Sequence, residues 1–296
     1  MDVETFTPKQ LSAELFIGRL RGGSQPILVQ ASDGFLYVVK YQDNPQGPNV
    51  PFNEGLGSVL FDACGLRVPS WAAIEVSDGF LDRHPEGWIW EGREYRRPKA
   101  GWCFGSRYQG MGETQVLEVL SRSAFNRVNN RQDFWKAWFL DILCEHCDHR
   151  QTLFLRNDAG DMDAVFFDHG HLFGGPNGDT TPKLLASRYL DSRIYEDLAV
   201  EGCNRIAHII ESLNQEKLNR IVANMPQEWV TSSVIGQFHQ LLVRLSDGFL
   251  VENVSNYLRS SCFQLRGESP EQRKTARAER FRGGILPAGL SGVRYA

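Results

Sequence analysis

The chain has 296 residues, of which 42% are hydrophobic and 23% charged, and a formal net charge of -4. That length can bury one large core or two moderate ones, and the mild acidity excludes a general electrostatic drive toward nucleic acid or anionic membranes. No apolar run reaches the roughly 20 residues that a membrane-spanning helix needs.

The N-terminal "MDVETFTPKQL" has no basic segment followed by an apolar stretch, so no secretory signal is expected. A cytoplasmic location follows as the expectation. The six cysteines then stay reduced, because they form no disulfide framework.

In chain order, "PILVQASDGFLYVVKY" (26–41) places two apolar, β-rich runs around a Ser-Asp-Gly turn, which predicts a hairpin. Residues 49–66 carry Val50, Glu54, Phe61 and Leu66 at helical intervals and end at "GLRVP", where Gly and Pro stop a helix. "SWAAIEV" (70–76) reads as a strand, and 77–106 as a polar connection rich in Gly, Pro and Trp. Residues 113–126 and 132–146 are amphipathic, the second with Phe134, Trp135, Trp138, Phe139, Ile142 and Leu143 on its apolar face. A second hairpin is predicted over 152–170, turning at Asn-Asp-Ala-Gly. From about 184 to 263 the pattern is helical, and the Arg-rich tail 266–296 has little periodicity. The expected organisation is therefore α+β: a β-rich N-terminal lobe with one helix (1–106), a mainly helical lobe (107–265) and a basic tail (266–296). That is the order of a two-lobed kinase.

Several residues at the junction carry chemistry. Lys40 ends the strand "LYVVK", and Glu54 follows on the next helix. A strand lysine steadied by a helix carboxylate is suited to neutralising nucleotide phosphates. The extended "QDNPQGPNVP" between them is expected to let the helix swing into place. Upstream, Gly22, Gly23 and Ser24 precede the first hairpin strand. Adjacent glycines allow a phosphate to approach the backbone closely, although the segment matches no established phosphate-loop motif and reads equally as a simple loop. Asp168, in "FFDHG", leaves an apolar strand into a glycine turn. A lone carboxylate there needs a partner, and Mg²⁺ is a natural one. A turn-capping role is the alternative.

The densest run is "LCEHCDHRQTLF" (143–154). Cys144, His146, Cys147 and His149 are too crowded for one tetrahedral zinc site, and Cys64, Cys103, Cys203 and Cys262 supply no second cluster. A redox pair belongs at a helix start, where thiolates are stabilised, whereas this one ends a helix. Asp148, after a long apolar helix and just before a strand, fits a catalytic loop that receives a hydroxyl proton. Gln151 is the nearest amide that could add a metal ligand.

Together, "GGSQPILVQASDGFLYVVKYQDNPQG", "NEGLGSVLFDACGLRVP", "GWCFGSRY" and "FFDHGHLFGGP" resemble the HipA-like kinases, bacterial relatives of the HipA toxin kinase within the protein-kinase-like fold. The resemblance covers roughly residues 15–176. It implies a phosphate-contacting Lys40, its partner Glu54, a catalytic Asp148 and a Mg²⁺ ligand at Asp168. It also sets "GWCFGSRY", with Cys103 and Phe104, near the hinge that meets the adenine. One departure stands out: the family loop reads approximately Asn-x-Asp-Arg-His-x-x-Asn. Here His146 replaces the first Asn, and Gln151 lies closer to Asp148 than the missing distal Asn would. The implied activity is ATP- and Mg²⁺-dependent transfer of phosphate to a hydroxyl, with a protein Ser or Thr as acceptor and room for an antitoxin-like partner. The rival expectation is a nucleotide-binding pseudokinase that acts by interaction. A metal-binding interaction module built on 144–149 is a third.

Overall fold

The computed structural model describes residues 7–110, 115–179, 187–195, 213, 215–248, 252–254 and 256–258. In chain order come β1 (Lys9–Arg19), β2 (Ile27–Ala31), β3 (Leu36–Lys40), α1 (Val50–Ala63) and β4 (Trp71–Val76). The predicted hairpin and helix fall where expected. Beyond them lie α2 (Asp78–Arg83), the short pair β5 (Ile89–Trp90) and β6 (Tyr95–Arg96), and β7 (Gly101–Arg107).

The β-rich unit is a closed barrel in the order β1-β2-β3-β7-β4, with β4 returning to pair in parallel with β1. Two of its five strands were not legible locally. β1 buries little beyond Leu11 and Ala13, so its sequence lacks clean alternation. β7 lies in the segment expected to be a connection, and its glycines argue against a strand on propensity. Gly105 is there for space, because a Cβ would collide with Ile74 of the neighbouring β4. The barrel interior is filled by Ile27, Val29, Val39, Ile74, Val76 and Cys103, each less than 1% exposed.

A second sheet follows, in the order β10-β9-β8, from β8 (Gln115–Leu117), β9 (Gln151–Arg156) and β10 (Met162–Phe167). The helix expected over 113–126 is not formed. Residues 115–117 pair with β9 and 122–127 form a 3₁₀ turn, so tertiary pairing overrides a local helical pattern. α3 (Asp133–Leu143) packs its aromatic face against Phe154, Phe166, Tyr189 and Tyr195. α4 (Gln215–Ala223) and α5 (Ser232–Ser246) follow, and 252–254 and 256–258 are also helical. Most of "CNRIAHIIESLN" and the whole tail 266–296 lie outside the described residues. Among the described residues, no helix is long and apolar enough to cross a membrane.

α1 is the centre of the molecule. Every residue from Val50 to Phe61 is buried. Phe52, Leu56, Val59 and Leu60 pack with Leu218, Ile221, Val234 and Phe238 from α4 and α5, while Phe61 joins the α3 cluster. Burying each such large apolar side chain contributes about 1.5–3 kcal/mol. In this structure α1 is packed on all faces. The Trp229 indole N–H donates to the Trp102 carbonyl at 2.8 Å, which ties the helical side to β7.

Candidate active site

Two hairpins and one helix deliver the site. β3 ends at Lys40, and α1 presents Glu54 one turn into the helix. β10 pairs with β9 so that its last residue, Phe167, faces Gln151, the first residue of β9. The next residue, Asp168, therefore emerges beside Gln151. Its backbone takes φ +60°, a left-handed conformation that Asp tolerates better than most residues.

Lys40 binds both carboxylates. Its Nζ makes a very short contact with Glu54 Oε1 and lies 2.6 Å from Asp168 Oδ1. Gln151 Nε2 donates to Asp168 Oδ2 at 2.5 Å. The second Glu54 oxygen accepts the backbone N–H of His169 at 2.9 Å. Lys40 and Glu54 are buried, Glu54 only 1% exposed, while Asp168 and Gln151 are half-buried. Burial alone would push Lys40 toward the neutral amine, but the charges of Asp168 and Glu54 outweigh it and hold the ammonium above the ordinary lysine value. Asp168 also loses hydration; the Lys40 charge and hydrogen bond prevail and hold its carboxyl well below the usual range. Glu54 is raised instead, because burial dominates and it shares its ammonium with Asp168.

Sequence reading missed the groups behind this triad. Arg150 is 2% exposed and pairs through two nitrogens with Asp141, which is fully buried on α3. Burial pushes the Asp141 carboxyl up to about 6 against the pull of that guanidinium. The signal was present: an aspartate inside the apolar run "WFLDIL" must have a cation. Asn53, beside Glu54, donates to the carbonyls of Gly170, Leu172 and Gly175 at 2.9–3.2 Å. Gly57 gives the 169–172 segment room, since a Cβ there would lie 2.6 Å from both His169 Cβ and Leu172 Cδ1. His169 packs against Phe61 with the rings tilted by 59°, and burial holds its imidazole neutral.

The remaining predicted residues are placed unequally. Gly22, Gly23 and Ser24 form the turn between β1 and β2, with Gly22 at φ +134°. Gly23 packs against the Gln46 side chain, whose Nε2 is 3.1 Å from His171 Nε2. Asn44 donates to the Ser24 carbonyl at 3.3 Å, so the glycine turn and the Asp168 segment are joined through the loop before α1. Asp148 is half-buried, three residues before Gln151, and accepts from the His149 N–H at 2.7 Å. Cys103 and Phe104 lie on β7, where Phe104 is the cross-strand partner of Lys40. The Cys103 thiol lies in the barrel core, and Phe104 packs between Trp71 and Trp229.

Within the run 144–149, burial raises the Cys144 thiol, and burial together with nearby acids raises Cys147 to about 11. Both are therefore thiols at neutral pH. The His146 ring is buried 3.9 Å from Asp141. Among the described residues, no three His, Cys, Asp or Glu side chains converge on a metal-sized space.

What the arrangement can hold is a hard cation. Counting Lys40 and Arg150 against Glu54, Asp168 and Asp141 leaves one surplus negative charge in a buried network. A proton on Glu54 or a cation beside Asp168 satisfies it. An Asp carboxylate and, with the amide turned, a Gln carbonyl are oxygen donors of the kind Mg²⁺ accepts alongside water and phosphate.

No protein-family model matches the chain, and no curated protein matches it. Among solved structures it is similar to the Helicobacter pylori proinflammatory kinase CtkA, at 12% identity with a TM-score of 0.51, over 85% of this chain and 94% of that one. The Golgi casein kinase aligns at 13% identity with a TM-score of 0.49, over 90% of this chain and 75% of that one. Its crystal form with Mn/ADP bound aligns at 12% identity with the same TM-score and the same coverage. The likeness to the H. pylori protein shows the architecture: the chain has a protein-kinase-like fold.

Proposed function

We propose that this chain is an ATP- and Mg²⁺-dependent kinase of the HipA-like type, transferring the γ-phosphate to a Ser or Thr hydroxyl of a protein. The observation that carries the reading is the bridge at Lys40, which joins β3, α1 and the Asp168 turn through one buried and one half-buried carboxylate. A lysine pinned this way in a core of purely structural use is costly, because two desolvated acids share one cation. In a nucleotide site the same arrangement is functional.

In this reading Asp168, with the Gln151 carbonyl, holds the metal, and Lys40 turns from Asp168 toward phosphate while Glu54 keeps it oriented. The bound Mg²⁺ supplies charge neutralisation for the phosphates. Asp148 orients the acceptor hydroxyl and takes its proton. The Gly22–Ser24 turn approaches phosphate through its backbone, since Ser24 is itself only 7% exposed. Gln151 at 2.5 Å from Asp168 favours the enzyme over the pseudokinase, because the amide that replaces the distal Asn reaches the same carboxylate.

The test is incubation of the purified protein with labelled ATP, Mg²⁺ and a cell lysate. Label should pass to protein in the wild type and not in Asp148→Asn. Nucleotide binding without transfer in the wild type would put the pseudokinase reading in its place.

A further inference from the structure

We propose that Arg150, anchored by Asp141, is a positioning residue that fixes the left-handed turn at Asp168 and so aims the metal-binding carboxylate. The inference rests on the reading of Asp168 given above. Its ground is where the guanidinium's hydrogen bonds go. Nε and Nη2 engage the Asp141 carboxylate, Nε at 2.9 Å from Oδ2. Nη1 turns the other way, donating to the Phe167 carbonyl at 2.9 Å and reaching the Asp168 carbonyl at 3.4 Å and His169 Nδ1 at 3.3 Å. One side chain thus touches three consecutive residues around the bend.

The bend needs such a clamp. The β9–β10 ladder ends at the Phe167–Gln151 pair, so the ladder stops holding the chain just where it turns to φ +60° at Asp168. A left-handed non-glycine residue persists only where its surroundings over-determine it. α1 holds the far side of the bend through Glu54 to the His169 N–H and Asn53 to the Gly170 carbonyl. Arg150 holds the near side, and its guanidinium lies 4.7 Å from the Phe61 ring centre, which also ties it to α1. Lysine has the charge but not the planar fork that serves a carboxylate and a backbone carbonyl at once.

A buried ion pair that only stabilises the fold can often be exchanged for apolar residues of similar volume without loss. That separates the two roles. The double variant Asp141→Leu/Arg150→Met, and Arg150→Lys as a second variant, should be compared with the wild type by hydrogen exchange over residues 166–172 and by Mn²⁺ binding with ATP. In the double variant with its melting temperature retained, exchange at the bend should accelerate by on the order of tenfold, the equivalent of about one net hydrogen bond. Mn²⁺ affinity in the presence of ATP should fall by a similar factor, and Arg150→Lys should move both readouts in the same direction. Unchanged exchange and unchanged Mn²⁺ affinity in a folded variant overturn the proposal. If the double variant does not fold, Arg150→Lys decides by the same criteria. Accelerated exchange with no Mn²⁺–ATP binding in the wild type leaves the positioning role standing and removes the kinase reading instead.

Discussion

The two hairpins that meet at the site solve the same problem in different ways. β2–β3 delivers Lys40 from within a closed barrel, where β3 has a hydrogen-bonded neighbour on both sides, β2 and β7. β9–β10 delivers Asp168 from the edge of an open three-stranded sheet, one residue past the end of its ladder. The lysine therefore needs no help from side chains to hold its backbone. The aspartate is held by Arg150, Glu54 and Asn53. A charged group at a ladder's end is as well placed as the side chains that replace the ladder, so the Asp168 side is the one that substitution should disturb.

The largest effects should come from the carboxylates themselves. Asp168→Asn is expected to weaken Mg²⁺-dependent nucleotide binding, and Asp148→Asn to leave binding nearly intact. Both should cut turnover by orders of magnitude, because phosphoryl transfer depends on positioning and charge neutralisation. Calorimetry of nucleotide binding beside a transfer assay separates the two, and full transfer by Asp148→Asn would remove the catalytic-loop assignment.

Next comes Asp141→Ala, which leaves Arg150 buried without its acid and should cost about 3–5 kcal/mol in chemical denaturation. The pH dependence gives a second measure. Native Asp141 takes its proton at about 6, against about 3.9 for an unfolded aspartate. Between those values the native chain holds the extra proton, so this group's contribution to stability declines as pH rises from about 4 to 6. Asp168, with its carboxyl depressed by Lys40, acts oppositely: its contribution is present above about pH 4 and is lost as pH falls further. Asp141→Asn should flatten the first slope and leave the second.

Gly57→Ala sharpens the comparison with a substitution whose sign is contested. Alanine gains about 1 kcal/mol of helix propensity over glycine. Against it stands the clash with His169 and Leu172, and overpacking of this kind costs about 1–3 kcal/mol. Net destabilisation, with loosening of the 169–172 segment, is expected. Gly34→Ala, in the turn of the barrel hairpin, meets no neighbouring atom but has φ +80°, so about 1 kcal/mol of backbone strain is expected there and no change at the site. Lys9→Ala is the smallest. Its 2.8 Å bond to Asp33 joins β1 to the hairpin turn at an exposed lysine, and loss of about 0–1 kcal/mol is expected.

Much of this was written into local stretches of sequence. The Ser-Asp-Gly turn between β-rich runs set the first hairpin, the Asn-Asp-Ala-Gly turn set the second, and the spacing from Val50 to Leu66 set α1. Lys40, Glu54, Asp168 and Gln151 were each found at the end or on a defined turn of such an element. These are signals of short range: a strand followed by a turn, a helix stopped by glycine and proline.

What sequence could not decide was decided by partners far along the chain. β1 is a strand because β2 and β4 accept it, and β7 is one because Gly105 fits beneath Ile74. Residues 115–117 pair with β9 rather than forming a helix. The loop before α1 bridges Gly23 and His171, and α4 and α5 bury the helix it leads into. Cys103 falls inside the barrel because an inward register position takes whatever apolar residue stands there. Sequence by itself determined the two hairpins and α1 and which charged residues they carry. The tertiary structure alone decided that Lys40 and Asp168, 128 residues apart, meet at 2.6 Å, because desolvating those charges is tolerable only where each finds its counter-charge.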